Sequence, residues 1–463
     1  MTRIDARPPY PDVLSMIGNT SMVEVTGFDT GPCRLFLKLE SQNPGGSIKD
    51  RIALSMIEAA EREGRIKPGG TIIEATAGNT GLGLALVAAQ KGYRMKLVIP
   101  DKMSQDKIFH LKALGAEVVM TRSDVGKGHP DYYQDMAERL EREIPNSFWV
   151  NQFANPANPA AHEKTTGPEI WEQMGHDLDA VVCGVGSGGT ISGLGRYFKR
   201  VAPDVRMVLA DPEGSVVGKA ALTGEVPSEV GSWLVEGIGE DFIPPNCDLS
   251  LIADAVYVSD REGFHAARDL VARTGVLGGS STGTLLAGAL KWCRRQTEPK
   301  RVVTFVCDTG NKYLSKVYND AWMVDNGLME LESHGDLRDL VVRRADRGQL
   351  VTAKTTETLG TAYGRMRMFD VSQIPVMDDK GRLVGLVDES DVMLAAQEGT
   401  DPFGQSVADH MVENLEIVHP GDSPDSLLPL FRSDKVAIVM EDDHLFGLIT
   451  KVDFINHLRR RGR

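Results

Sequence analysis

The chain has 463 residues, 41% apolar and 25% charged, with a net charge of −14. This is the composition of a globular protein of roughly two to four domains, and the acidic balance argues against nucleic acid or anionic lipid as partners. No run approaches the ~18 apolar residues of a membrane span, the first fifteen residues lack a signal-peptide layout, and Cys33, Cys183, Cys247, Cys293 and Cys307 are widely spaced, so a cytoplasmic protein with reduced thiols and no bound metal is expected.

After a polar N-terminal arm, residues 21–25 and 34–40 are strand candidates. The turn residues Asn43-Pro44-Gly45-Gly46 then lead to Ser47, an expected N-cap, and to a helix patterned by Ile52, Ala53, Met56, Ile57 and Ala60. Lys49 falls in its first turn. A helix N-terminus and partial desolvation both lower a lysine pKa, which suits a nucleophilic amine. An ordinary solvated Lys49–Asp50 pair is the alternative. From residue 71 strands and helices alternate: strands at 71–74, 95–99 and 117–120, helices at 82–91 and 104–114. Such β-α-β succession predicts a parallel sheet that binds ligands beyond its C-terminal strand ends, beside the loop Thr76 to Gly81.

The strand at 179–183 runs into Gly184-Val185-Gly186-Ser187-Gly188-Gly189-Thr190, which reads as a phosphate cradle at a helix N-terminus. Gly184, Gly186 and Gly189 also satisfy G-x-G-x-x-G with Asp211 about twenty residues on, so a nicotinamide-dependent oxidoreductase is a rival reading. A strand at 302–306 leads to Cys307-Asp308-Thr309-Gly310-Asn311, where Thr309 can also be a helix cap.

Taken together, G-G-S-I-K-D-R at 45–51 and E-A-T-A-G-N-T-G at 74–81 resemble the pyridoxal-phosphate enzymes related to tryptophan synthase β chain and cysteine synthase, most closely the cystathionine β-synthase family. The segments Asn158-Pro159 with Ala161-His162, 184–193, 211–215, 236–239 with 241–244, and Gly278-Gly279-Ser280 extend the likeness over nearly the whole chain. The resemblance implies an α/β fold of type II, two parallel-sheet subdomains, in residues 1–327. It implies that Lys49 holds pyridoxal 5'-phosphate and acts as general base, and that Gly186, Ser187, Gly188, Gly189 and Thr190 anchor the phosphate. Asn79 is expected on the phenolic oxygen, Gly237 beside the cofactor and Thr309 on the pyridine nitrogen. Thr76, Gly78, Asn79, Thr80 and Gln152 are expected at the substrate carboxylate, although Gln152 also reads as a residue satisfying loop backbone. The implied reaction joins L-serine and L-homocysteine to give L-cystathionine and water in a homodimer or higher homo-oligomer, with hydrogen sulfide production as an accompaniment. Cysteine synthase chemistry with O-acetylserine and sulfide is the alternative. Animal relatives carry an N-terminal haem held by cysteine and histidine; here no cysteine precedes Cys33 and no histidine precedes His110, so no haem is expected. Ala75, Ala77, Phe153 and Glu240 depart from the usual proline, serine and tyrosines.

Residues 328–340 read as a linker. Thereafter 376–387 is echoed at 439–449, defining repeats at 341–400 and 401–463 that resemble the tandem nucleotide-sensing repeats, a C-terminal α+β tandem-repeat (Bateman-type) module. By that resemblance Thr450 and Asp453 bind an adenosyl ribose, whereas Asp388 and Asp391 present two acids. A dimerising module without ligand, or an adenosyl sensor with a weak catalytic core, are the other readings. The closing Arg459 to Arg463 reads as a solvated helix end.

Overall fold

The computed structural model describes residues 9–76, 78–101, 105–126, 128–330, 333–398 and 401–461. The N-terminal arm to residue 8, Ala77, Ser104, two linker residues and the last two of the arginine tail lie outside them. The chain forms two compact units, 1–319 and 320–463.

In the first unit β1 (Met22–Glu24) and β2 (Arg34–Lys38) precede α1 (Lys49–Arg62). Then come β3 (Thr71–Glu74), α2 (Asn79–Lys91), β4 (Arg94–Pro100), α3 (Gln105–Ala113), β5 (Glu117–Thr121), α4 (Tyr133–Glu143) and β6 (Ser147–Trp149). The strands pair in parallel in the order β5-β4-β3-β6, making one small sheet. After α5 (Ala157–Ala161), a π-helical turn and α6 (Gly167–Gln173), the chain makes a second sheet with β7 (Ala180–Cys183), α7 (Gly189–Val201), β8 (Arg206–Pro212), α8 (Val217–Thr223), β9 (Asp254–Val258), α9 (Asp260–Thr274), α10 (Ser280–Arg294) and β10 (Arg301–Phe305). Its order is β1-β2-β10-β7-β8-β9, parallel except for the β1–β2 pair. Two parallel-sheet α/β subdomains are thus present.

The burial pattern explains these strands. Ala180 to Cys183 and Thr71 to Glu74 are buried at every position, as strands covered on both faces must be, and so lack alternation. The apolar stripe of α1, with Ile52, Ala53, Met56, Ile57 and Ala60, packs with Leu84, Val87 and Ala88 of α2 in one core. Helix α9 begins with a full capping box between Ser259 and Glu262.

The second unit holds α11 (Asp320–Asp325), then β11 (Ala353–Lys354), α12 (Leu359–Phe369), β12 (Gln373–Met377), β13 (Leu383–Asp388) and α13 (Glu389–Glu398). The echo follows as α14 (Val407–His410), β14 (Glu416–Val418), α15 (Leu427–Arg432), β15 (Ala437–Glu441), β16 (His444–Ile449) and α16 (Lys451–Arg461). Each repeat has a three-stranded sheet, β11-β12-β13 or β14-β15-β16, and each hairpin carries an irregularity at the matching step, Val376/Met377 and Val439/Met440.

Two stretches pack across the expected boundaries. The end of the expected linker is packed: Leu337 and Leu340 are fully buried and join Val341 in the core of the second repeat with Val418, Leu427 and Phe446. Likewise Val407, assigned by sequence to the second repeat, is buried in the core of the first with Leu359, Ile374 and Val387. The connecting stretches supply apolar surface that each small sheet lacks.

Candidate active site

The turn after β2 is tight: Gly46 sits at φ 76° and its N–H donates to Asn43 O at 2.7 Å. Ser47 then bridges to Asp308, and the Ile48 N–H donates to Cys307 O at 2.8 Å, fastening the start of α1 to the end of β10. The N-cap falls on Ile48 rather than Ser47, whose backbone is engaged in this bridge; Ser47 Oγ still accepts the Lys49 N–H at 3.2 Å. Lys49 is therefore the first helical residue. Its amine forms no hydrogen bond or ion pair among the described residues, and burial pushes its pKa down against the opposing pull of Cys307, Asp308 and Glu240.

Beneath it, Arg51 is buried between two carboxylates. Its Nε and Nη2 donate to Glu40 at 2.7 and 2.8 Å, and Nη1 and Nη2 donate to Glu169 at 2.7 Å each. Lys38 Nζ adds a bond to Glu169 at 2.8 Å. This network ties β2, α1 and α6 together.

The second half of the site grows from the end of β7. Gly186 and Gly189 are bare because neighbours press on them: a Cβ would lie 2.4 Å from Gly237 O and 1.8 Å from Asn158 Oδ1 respectively. Asn158 Nδ2 donates to Ser187 Oγ at 2.9 Å, and Thr190 Oγ1 lies 3.3 Å from His162 Nε2. Burial, with Lys49 and Arg51 nearby, drives the His162 pKa far down, so that ring is neutral.

Lys49, Asn79, Gly186, Ser187, Gly188, Gly189, Thr190 and Gly237 line one cavity. A strand end, a glycine turn and the first amides of α7 suit a phosphate, and a free amine faces the same space, so the residues fit pyridoxal phosphate. Asn79, at the start of α2, donates Nδ2 to Asp308 Oδ2 at 2.8 Å and accepts Lys312 Nζ at 2.6 Å. Asp308 also accepts the Tyr313 hydroxyl at 2.8 Å. Sequence reasoning missed this Asp308–Lys312–Tyr313 frame; the motif running on from Thr309 was the available signal.

Other expected residues stand elsewhere. Thr309 caps the short turn that follows it, Oγ1 accepting the Asn311 N–H at 3.3 Å, and it lines an adjoining cavity instead. Besides Ser187 and Thr190 of the cradle, the cofactor cavity is lined by the hydroxyl residue Ser281, in the first turn of α10, directly after the noted Gly278-Gly279-Ser280. Thr80 Oγ1 donates to Gln152 Oε1 at 2.7 Å with both residues buried, and Thr76 Oγ1 accepts the Gly78 N–H at 3.1 Å. Thr76, Thr80 and Gln152 line neither cavity, and their side chains brace the loop, while Gly78 and Asn79 line the adjoining one. Asp211, the acid of the dinucleotide fingerprint, is wholly buried and accepts the Gly218 N–H at 2.8 Å, which leaves it no ribose to hold. Glu240 lies beside the cradle, its pKa raised to about 8 by burial and Asp241.

In the second unit, Thr450 Oγ1 donates to Asp453 Oδ2 at 2.6 Å, and both line a 350 Å³ cavity with Val342, Val351, Asp370 and Gln373. In the first repeat Asp391 accepts the Asp388 N–H at 2.8 Å, the same turn with an acid in place of threonine.

An amine and a phosphate cradle across one cavity, at the meeting of two parallel sheets, define a pyridoxal-phosphate enzyme. Residues 13–308 match the family described as "Pyridoxal-phosphate dependent enzyme", and 338–398 and 407–460 match the CBS domain. The chain is 36% identical to cystathionine beta-synthase of Oryctolagus cuniculus, covering 98% of this chain and 86% of that one. It is 34% identical to that of Dictyostelium discoideum, over 97% and 92% of the two chains. The chain thus belongs to the pyridoxal-phosphate dependent enzymes and, within them, to the cystathionine β-synthase family. Among solved structures, a hydrogen sulfide-producing enzyme from Fusobacterium nucleatum matches at TM-score 0.61 and 36% identity, covering 66% of this chain and 100% of its own. O-ureido-L-serine synthase matches at 0.63 and 33%, covering 68% and 100%. Among the described residues no helix is long and apolar enough to cross a membrane, and no acidic, histidine and cysteine cluster suits a metal.

Proposed function

We propose that this chain condenses L-serine with L-homocysteine to L-cystathionine and water. The observation that carries this reading is the shared cavity of Lys49 and the Gly186 to Thr190 cradle, supported by the cystathionine beta-synthases that match over nearly the whole chain. Pyridoxal phosphate, when bound, supplies an aldehyde for the lysine amine and an electron sink for the substrate α-carbon. Lys49, its pKa lowered by burial, takes the serine α-proton and returns a proton to the departing hydroxyl, so that the C–O bond breaks, water leaves and a C–S bond forms to the thiol. Gly78 and Asn79, at the start of α2, face the serine carboxylate; Thr76, Thr80 and Gln152 support that loop from behind. Thr309, in the cavity that adjoins Asn79 and Gly237, is the hydroxyl assigned to the ring nitrogen, and Ser281 of α10 adds a second small hydroxyl on the cofactor side. Thr450 and Asp453 form the adenosyl site, and the chain acts as a homo-oligomer in a reducing compartment, consistent with five unpaired cysteines.

The test is product analysis of purified protein given serine plus homocysteine, or O-acetylserine plus sulfide. Cystathionine from the first pair supports the reading; cysteine from the second pair alone makes it a cysteine synthase. Borohydride should fix the cofactor on Lys49, and Lys49→Ala should lower turnover by about 10²–10⁴-fold. Hydrogen sulfide released from thiol amino acids would extend the likeness to the Fusobacterium enzyme. Titration with adenosine reports the second site, and loss of binding in Asp453→Ala is expected.

A further inference from the structure

Beside the cofactor cavity lies a second, of 470 Å³, which shares Asn79, Glu236 and Gly237 with it. Its walls are of two kinds. Leu82, Leu86 and Leu114 give an aliphatic side, while Lys107, Glu236 and Lys312 bring charge. Glu236 is clamped by Lys107 and Lys316, and these cations outweigh its burial, so its own charge is already compensated.

Lys312 is different. Its ammonium donates to two neutral acceptors, Asn79 Oδ1 at 2.6 Å and Gly45 O at 3.4 Å, and it has no ion-pair partner among the described residues. The nearest acids, Asp308 and Asp50, are fully buried behind the cavity wall. Asp308 accepts Asn79 and Tyr313 through Oδ2, and Asp50 accepts the Gly45 N–H at 2.5 Å through Oδ2. Burial lowers the Lys312 pKa against the pull of those two acids, neither of which reaches it as a direct ion pair. A partly buried ammonium facing a cavity of this size calls for an anionic ligand.

Resting on the β-replacement reading, we propose that this cavity seats the second substrate and that Lys312 takes its α-carboxylate. The ligand class is an aliphatic ω-thiol amino acid: the methylenes lie against Leu82, Leu86 and Leu114, and the thiol points past Asn79 and Gly237 towards Lys49. Lys312 is thereby the residue that favours homocysteine over thiols without a carboxylate.

The experiment uses the holoenzyme with saturating serine and compares kcat/KM for L-homocysteine with that for 3-aminopropane-1-thiol, which lacks only the carboxylate. In the wild type the ratio favours homocysteine. In Lys312→Met it should collapse by about 10- to 100-fold, the worth of one charge-assisted hydrogen bond, and Lys312→Arg should restore most of it. A ratio is unaffected by a general loss of activity through Asn79. If both thiols lose equally in Lys312→Met, or if the KM for serine alone rises, Lys312 serves the loop or the first substrate and the proposal is overturned. A wild type that joins both thiols to serine without preference also overturns it. A wild type that joins neither overturns the β-replacement reading, and this inference with it.

Discussion

Arg51→Met isolates what holds the catalytic lysine in place. Arg51 is only 4% exposed and donates four bonds to Glu40 and Glu169. After the substitution the two carboxylates fare differently. Glu169 keeps Lys38 at 2.8 Å and the Asn19 N–H at 2.9 Å, so its charge stays paired. Glu40, wholly buried, keeps only neutral donors, Thr20 Oγ1 at 2.7 Å and Asn43 Nδ2 at 2.9 Å. One uncompensated buried charge costs about 3–5 kcal/mol, whereas removing both partners of such a pair is nearly neutral. Arg51→Met should therefore destabilise the first unit by that amount, read as a lower urea midpoint at unchanged slope, and Arg51→Met with Glu40→Gln should recover most of it. Tryptophan fluorescence reads the transition, and the fraction of cofactor fixed by borohydride reads the position of Lys49. A single-variant loss under about 1 kcal/mol, or a double variant no better than the single, would refute the argument that Glu40 is the residue left stranded.

Three further outcomes follow from the geometry. Gly186→Ala puts a methyl 2.4 Å from the backbone oxygen of Gly237, and such overpacking should weaken cofactor binding by about 10-fold or more, measured as bound cofactor after dialysis. Glu240 is neutral below its pKa of about 8 and becomes an anion beside the phosphate cradle above it, so cofactor affinity should fall as pH rises through 8 and stay level in Glu240→Gln. Glu169, where Arg51 and Lys38 outweigh burial to hold the pKa at about 2 against an ordinary 4.5, contributes about 3 kcal/mol near neutrality; because the folded pKa is the depressed one, that stability is lost as pH falls from 4.5 through 2, and the gap in urea midpoint between wild type and Glu169→Gln should narrow over the same range.

The sheets were legible because their signal is local. Thr71 to Glu74 matches the expected strand, 180–183 differs by a residue at one end and 301–305 is shifted by one residue, since buried parallel strands need unbroken apolar runs whatever packs upon them. Lys49 and the glycine cradle were legible as turn chemistry, although nothing in their spacing brings positions some 140 residues apart into one cavity; the sheet order does that. Ser47 was misplaced by one position because a bridge to Asp308 claims its backbone, a long-range event with no local trace. Thr309 and Ser281 both follow strand or loop ends with small hydroxyls, and only the docking of α10 decides which faces the cofactor cavity. Lys312 was passed over although it follows the Thr309 motif by three residues, because its role shows only once Asn79 is seen to hold it.

Leu337, Leu340 and Val341 precede the sheet of the first repeat in the chain yet fill the core of the second, while Val407 does the reverse service for the first. A stop codon near residue 400 would thus spoil both halves at once, stripping three large apolar groups of their cover and hollowing out the half that remains. Shortened chains ending between 326 and 336 should stay in solution, and those ending between 345 and 405 should precipitate: the tail is interlaced, and is shed whole or not at all.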